Sequence, residues 1–139
     1  MKSWHSRLGI SQEPNVPANS DFDIDLKFGQ QGEATVANIL SIETVEVKRD
    51  KRWKETGNLY IETDCWYNAS HSWKPSGLSV SKATHYAFVL ENMVVITTTE
   101  DLKSVVEKNG RAIKCNIEPN PSKGYLIKLS HIVEHQIGN

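Results

Sequence analysis

The string "VEVK", Val45 to Lys48, places a carboxylate and an amine two residues apart. Side chains of an extended strand alternate between faces, so Glu46 and Lys48 point the same way and Val45 and Val47 the other. The valines are expected to anchor the strand to a core. The charged pair suits hydrolysis of a phosphodiester. Carboxylate oxygens hold hard cations such as Mg²⁺ or Mn²⁺. The cation polarises the phosphate and acidifies a bound water, and an adjacent lysine orients that water or stabilises the charge that develops in the transition state. Taken alone, a Glu-x-Lys pair is also what a solvated strand face carries.

Its surroundings sharpen the reading. "KRDKRWK" follows directly, setting Lys48, Arg49, Lys51, Arg52 and Lys54 around Trp53. Basic side chains mixed with an aromatic suit a nucleic-acid backbone, although the chain as a whole carries a formal charge of −1 and is not generally basic. One carboxylate is too few for a metal site. Glu33, Asp23 and Asp25 lie upstream, and Glu62 and Asp64 downstream; Glu43 faces away from Glu46 unless a bulge turns it. Lys74 and Ser76 of "KPSG" are either a phosphate contact or an ordinary turn.

Certain elements must position these groups. Residues 1–20, with Pro14, Pro17 and four serines, are read as a loose N-terminal arm; residues 21–139 are expected to form one domain. A helix is predicted from about Gln30 to Leu40, where Glu33, Val36, Ala37 and Leu40 share a core-facing stripe. Glu33 is then either a carboxylate favoured by the helix N-terminus or a site residue. Ile42 to Lys48 reads as a strand, "ETGN" as a turn, and Leu59 to Glu62 as a second strand antiparallel to the first. "WYNASHSWKPSG" reads as a loop whose Trp66, Tyr67 and Trp73 either pack at the core edge or stack on bases or sugars. "YAFVL" and "MVVITT" are strands joined tightly, with Tyr86, Phe88, Val94 and Ile96 as core. "TEDLKSVVEKNG" is a helix capped by Thr99 and ended by Gly110. "GYLIKLSHIV" gives a last strand and a short terminal helix. The expected class is α+β: a central mixed sheet flanked by helices.

Several function classes drop out. No glycine-rich phosphate loop is present, which disfavours nucleotide hydrolysis by that device. Cys65 and Cys115 match no zinc spacing, and their default is reduced thiols in a cytosolic protein, with one disulfide the lesser alternative. His131 and His135, four apart, have no glutamate at the position it takes in His-Glu-x-x-His metalloproteases. No apolar run reaches membrane-spanning length, and the N-terminal segment lacks the apolar core of a signal peptide. A cytoplasmic location is expected, that of the host cell if the gene belongs to a phage.

A helix bearing an inward glutamate, followed by "VEVK", resembles the PD-(D/E)XK nuclease superfamily, which includes restriction-type endonucleases and Holliday-junction resolvases. The longer set "DLKFGQQGE", "VEVKRDKRWKETGN", "IE" and "KPSGLSVSKATHYAFVL" is similar to small nuclease-like proteins found mainly in bacteriophages. The resemblance covers roughly residues 23 to 98. It implies a restriction-endonuclease-like core and a metal-dependent deoxyribonuclease, endo- or exonucleolytic. Glu46 and Glu33 would bind Mg²⁺ with help from Asp25 or Glu62, and Lys48 would assist the attack. Lys51, Arg52, Lys54 and Lys74 would hold the DNA. The family also places an aspartate at a strand start ahead of its Glu-x-Lys. Only "SIET" stands there, so Glu43, Asp25 or Glu62 replaces it, or the fold is a binding module that cuts nothing. A homodimer enters by analogy, since so small a domain has little room to encircle a duplex.

Overall fold

The computed structural model describes residues 21–41 and 44–138, and no side chain before residue 24. The expected arm, residues 1–20, and the candidate ligand Glu43 lie outside the described residues. Two units are present. One ends at Glu43, and the other runs Thr44–Asn139.

The first unit contributes α1, Asp21–Ser41. It begins well before the predicted start near Gln30, because Gly29 and Gly32, each costing about 1 kcal/mol against alanine, do not break it. Glu33 therefore sits in the helix interior rather than its first turn. The expected core stripe is absent: Val36 and Leu40 are 48% and 69% exposed, as are Ile24 and Phe28 at 63% and 75%. Leu26, Glu33 and Ile39 are half-buried.

The second unit holds β1 (Val45–Lys48), the one-turn helix α2 (Trp53–Thr56), β2 (Asn58–Tyr67), β3 (Ser72–Pro75), β4 (His85–Val89), β5 (Val94–Thr98), α3 (Thr99–Asn109), β6 (Arg111–Cys115), β7 (Ser122–Lys128) and α4 (Leu129–Ile137). The class is α+β, as expected, but the strands are shared between two sheets. A mixed sheet has the order β1-β4-β5, with β1 parallel and β5 antiparallel to β4. An antiparallel sheet has the order β3-β2-β7-β6. The predicted β1–β2 hairpin does not form. "WKET" coils into α2, Gly57 takes the left-handed conformation at φ 71°, and the chain leaves β1 for the other sheet. Asp50 fastens this crossing: its carboxylate accepts from the backbone N–H of Arg52 at 2.8 Å and of Tyr60 at 3.2 Å.

One apolar cluster joins the sheets. Leu59, Ile61 and Ile127 come from the antiparallel sheet, Tyr86 and Phe88 from β4, Leu102, Val105 and Val106 from α3, and Ile132 from α4. Of the expected core residues, Tyr86 and Phe88 are buried, Ile96 is half-buried, and Val94 is 52% exposed. Thr97, beside Tyr86 in register, fills the inward position on β5 instead. Helix α3 is capped by Thr98 rather than Thr99, the Thr98 hydroxyl accepting from the Asp101 N–H at 3.0 Å. Thr99 instead donates its hydroxyl to the Ala83 carbonyl at 2.6 Å, inside the fold. Gly110 ends the helix as expected.

Candidate functional site

Glu46 and Lys48 do share a face, but not the one alternation suggested. In the parallel register Glu46 lies beside Tyr86 and Lys48 beside Phe88, so the charged pair occupies the core side of the mixed sheet, at its edge. Val47, on the other side, is 61% exposed. The inversion is physically reasonable because long charged side chains cover apolar surface with their stems while their heads reach water. Both side chains remain 43% exposed, and Lys48 Nζ meets Glu46 Oε1 at 2.9 Å. Upstream on the same face, the Thr44 and Thr84 hydroxyls hydrogen-bond at 2.9 Å and fasten β1 to the start of β4.

The basic segment follows at the C-terminal end of β1. Lys51, Arg52 and Lys54 are exposed. Lys54 pairs with Glu91 at 3.4 Å, both side chains well solvated, a contact worth little. Trp53 does not join this surface. It is half-buried and packs against the core, with its Nε1 buried and without a hydrogen-bond partner among the described residues.

The other predicted carboxylates do not gather around Glu46 within the second unit. Glu62 stands on β2, in the other sheet, and its Oε2 accepts from the Ser76 hydroxyl at 2.8 Å. That bond gives "KPSG" a structural role. Ser76 also donates its N–H to the Thr63 carbonyl at 2.9 Å, and Gly77, at φ 50°, lies so close to the Glu62 backbone that a Cβ would collide with it. Lys74 is on β3 of the antiparallel sheet, its ammonium 5.2 Å from the centre of the Tyr67 ring, whereas Lys51 and Arg52 lie in the turn after β1 of the mixed sheet. Asp25 and Glu33 both lie on α1, eight residues and so about 12 Å apart along the axis; one ion cannot take both. Among the described residues no three acidic, histidine or cysteine side chains are grouped to hold a metal. The residues around Lys48 thus fit a divalent cation in kind, through Glu46, but not in number.

Both histidines of the C-terminal pair have structural partners. His131 Nδ1 accepts from the Lys128 N–H at 3.0 Å, and His135 Nε2 lies 3.3 Å from Asp101 Oδ1. The Asp101 carboxyl is held below the ordinary carboxylate range, first by the Gln136 amide and then by His135, with its slight burial working the other way. Cys65 and Cys115 are free thiols. No described helix is long and apolar enough to cross a membrane.

Sequence reasoning missed a second concentration of charged and aromatic side chains. Strand β6 was not anticipated, and it brings Lys114 opposite Lys123 of β7. Both ammonium groups lie over the Trp73 indole, at 5.5 and 4.1 Å from the ring centre. A signal was present: the two lysines directly flank "CNIEPNPS", whose centre is an Asn- and Pro-rich turn, as partners in a hairpin would.

No protein family, curated protein or solved structure matches the chain.

Proposed function

We propose that the chain is a metal-dependent deoxyribonuclease that hydrolyses phosphodiester bonds at the edge of its mixed sheet. The observation that carries this reading is the solvent-open Glu46–Lys48 pair, 2.9 Å across, followed by exposed Lys51 and Arg52. The resemblance of "VEVK" and its flanking motifs to the PD-(D/E)XK superfamily supports it. Lys51 and Arg52 attract the DNA backbone, Lys54 adding to them when released from Glu91. Lys48 donates hydrogen bonds to a phosphate oxygen or to the attacking water. Glu46 keeps that ammonium in place through Oε1 and offers its other oxygen to Mg²⁺ or Mn²⁺. Such a cation supplies the Lewis acidity that the protein side chains lack. Glu33 and Asp25 enter as further ligands on residue type alone, and substitution tests each separately.

Cleavage of plasmid, single-stranded and branched DNA with Mg²⁺ or Mn²⁺ is the test. Metal-dependent cutting that Lys48→Ala and Glu46→Gln abolish is the expected result; cutting that persists in both variants rejects the site. A second reading, a nucleic-acid-binding module that does not cut, is favoured by the lack of a grouped metal-ligand set among the described residues. It predicts salt-sensitive DNA binding that Mn²⁺ does not change.

A further inference from the structure

We infer that the antiparallel sheet carries a separate binding track for single-stranded nucleic acid, centred on Trp73. It uses other residues and another sheet than the Glu46–Lys48 pair. The inward face of this sheet is core at one end, with Leu59, Ile61 and Ile127 buried. Past the bulge between Glu62 and Asp64 the same face runs out beyond the core. There Trp66 and Trp73 are register partners on β2 and β3, half-buried, with rings edge-to-face at 5.6 Å. The Trp66 indole is already oriented: its Nε1 donates to Asn68 Oδ1 at 2.9 Å.

The lysines are what point to a ligand. Lys114 and Lys123 face each other directly across adjacent strands, and like charges so placed destabilise a sheet. Cation–π contact with Trp73 offsets that cost and holds both ammonium groups at the ring. Asp64 stands opposite Lys123 on the third strand, yet its carboxylate accepts from the Thr63 hydroxyl at 2.9 Å, and among the ion pairs of the described residues it joins neither lysine. Both lysines are exposed, with their ammonium groups aimed at one aromatic ring. An anion tied to a flat ring satisfies all three groups together, and a nucleotide is such a ligand.

Shallow hollows lie on the same sheet as the lysines. Lys114, Lys123, Asp64 and Tyr125 border a shallow hollow of about 330 Å³, and Thr63 and Tyr125 also border a second of about 460 Å³ lined by Lys103 and Glu107. Open grooves with cationic walls and aromatic platforms are what sequence-tolerant single-strand binders use. A duplex hides its base faces, so the indoles select for an unpaired strand. An acidic peptide would engage the lysines but would not need the tryptophans.

The test is fluorescence anisotropy of a labelled oligothymidylate with the full chain in EDTA, so that no cleavage enters the reading. The expected result is binding that Trp73→Ala weakens by roughly five- to a hundredfold, the range for removal of one base–aromatic stack. Trp73→Phe should retain most of the affinity and guards against a variant that fails to fold. Replacing Lys114 and Lys123 together by glutamine should lower the slope of log affinity against log salt by about 0.7 for each phosphate no longer neutralised. Absence of binding by the wild-type chain overturns the inference, as does binding that the Trp73 and lysine changes leave intact. Equal affinity for polyglutamate, insensitive to Trp73, would assign the surface to acidic peptides instead. None of these results touches the nuclease reading, which stands on cleavage by the other sheet.

Discussion

The two charged regions of this molecule are built on opposite principles. At the edge of the mixed sheet, Glu46 and Lys48 are two residues apart on one strand and neutralise each other at 2.9 Å. At the far end of the antiparallel sheet, Trp73, Lys114 and Lys123 come from three strands, and two like charges converge on one ring. A local pair such as the first costs the fold almost nothing, so its presence says little about ligands by itself. The second arrangement sets two like charges side by side over one ring, which is why it supports the proposed nucleic-acid track. The region with the more familiar motif is the weaker structural evidence.

The comparison can be broken at several points. Lys48→Ala should lower metal-dependent cleavage by about a hundred- to a thousandfold, the scale of removing one transition-state donor, while thermal stability stays near wild type because the ion pair is solvated. A large fall in melting temperature with little change in rate would make the pair structural. Gly77→Ala should cost roughly 2–4 kcal/mol in urea denaturation, since alanine at φ 50° is strained and its Cβ strikes the Glu62 backbone. That cost would show "PSG" to be a fastening of β2 rather than a phosphate contact; full stability with impaired DNA affinity would show the reverse.

Smaller effects sharpen the picture of what lies between the regions. Tyr86, the strand neighbour of Glu46, is 2% exposed, and its hydroxyl has no partner among the described residues. Tyr86→Phe should leave stability unchanged or raise it by about 1 kcal/mol, because it removes an unsatisfied buried group; a clear loss would reveal a partner for the hydroxyl. The smallest change concerns Asp101. Its carboxyl titrates lower in the folded chain than in the unfolded one, so it stabilises the fold above the ordinary carboxylate pKa, and that contribution vanishes as pH falls through the folded value. Asp101→Asn should flatten the acid limb of a melting-temperature profile slightly, and an unchanged profile would show that Gln136 and His135 contribute nothing there.

Much of the local structure was legible. The strand "VEVK", the hairpin "YAFVL–MVVITT" and the helix ending at Gly110 follow from alternation, β-branched content and termination signals, which act within a few residues. Other expectations failed where a distant partner decides. The "ETGN" turn gave no hairpin because α2 and Asp50 route the chain to a second sheet. Trp53, in the middle of a basic run, went to the core. Glu62 went to Ser76 rather than to a cation.

The sequence alone determined that Glu46 and Lys48 would lie together, because a strand repeats every two residues whatever it packs against. It could not determine which side of the sheet they would occupy. A two-sided strand has no inside until a neighbour supplies one, and the parallel register with β4 set the charged side beside Tyr86 and Phe88. The cluster at Trp73 was decided by tertiary structure entirely. Its members are separated by 41 positions (73 to 114) and 9 positions (114 to 123) in the chain. They meet only because β2 and β7 pair between β3 and β6.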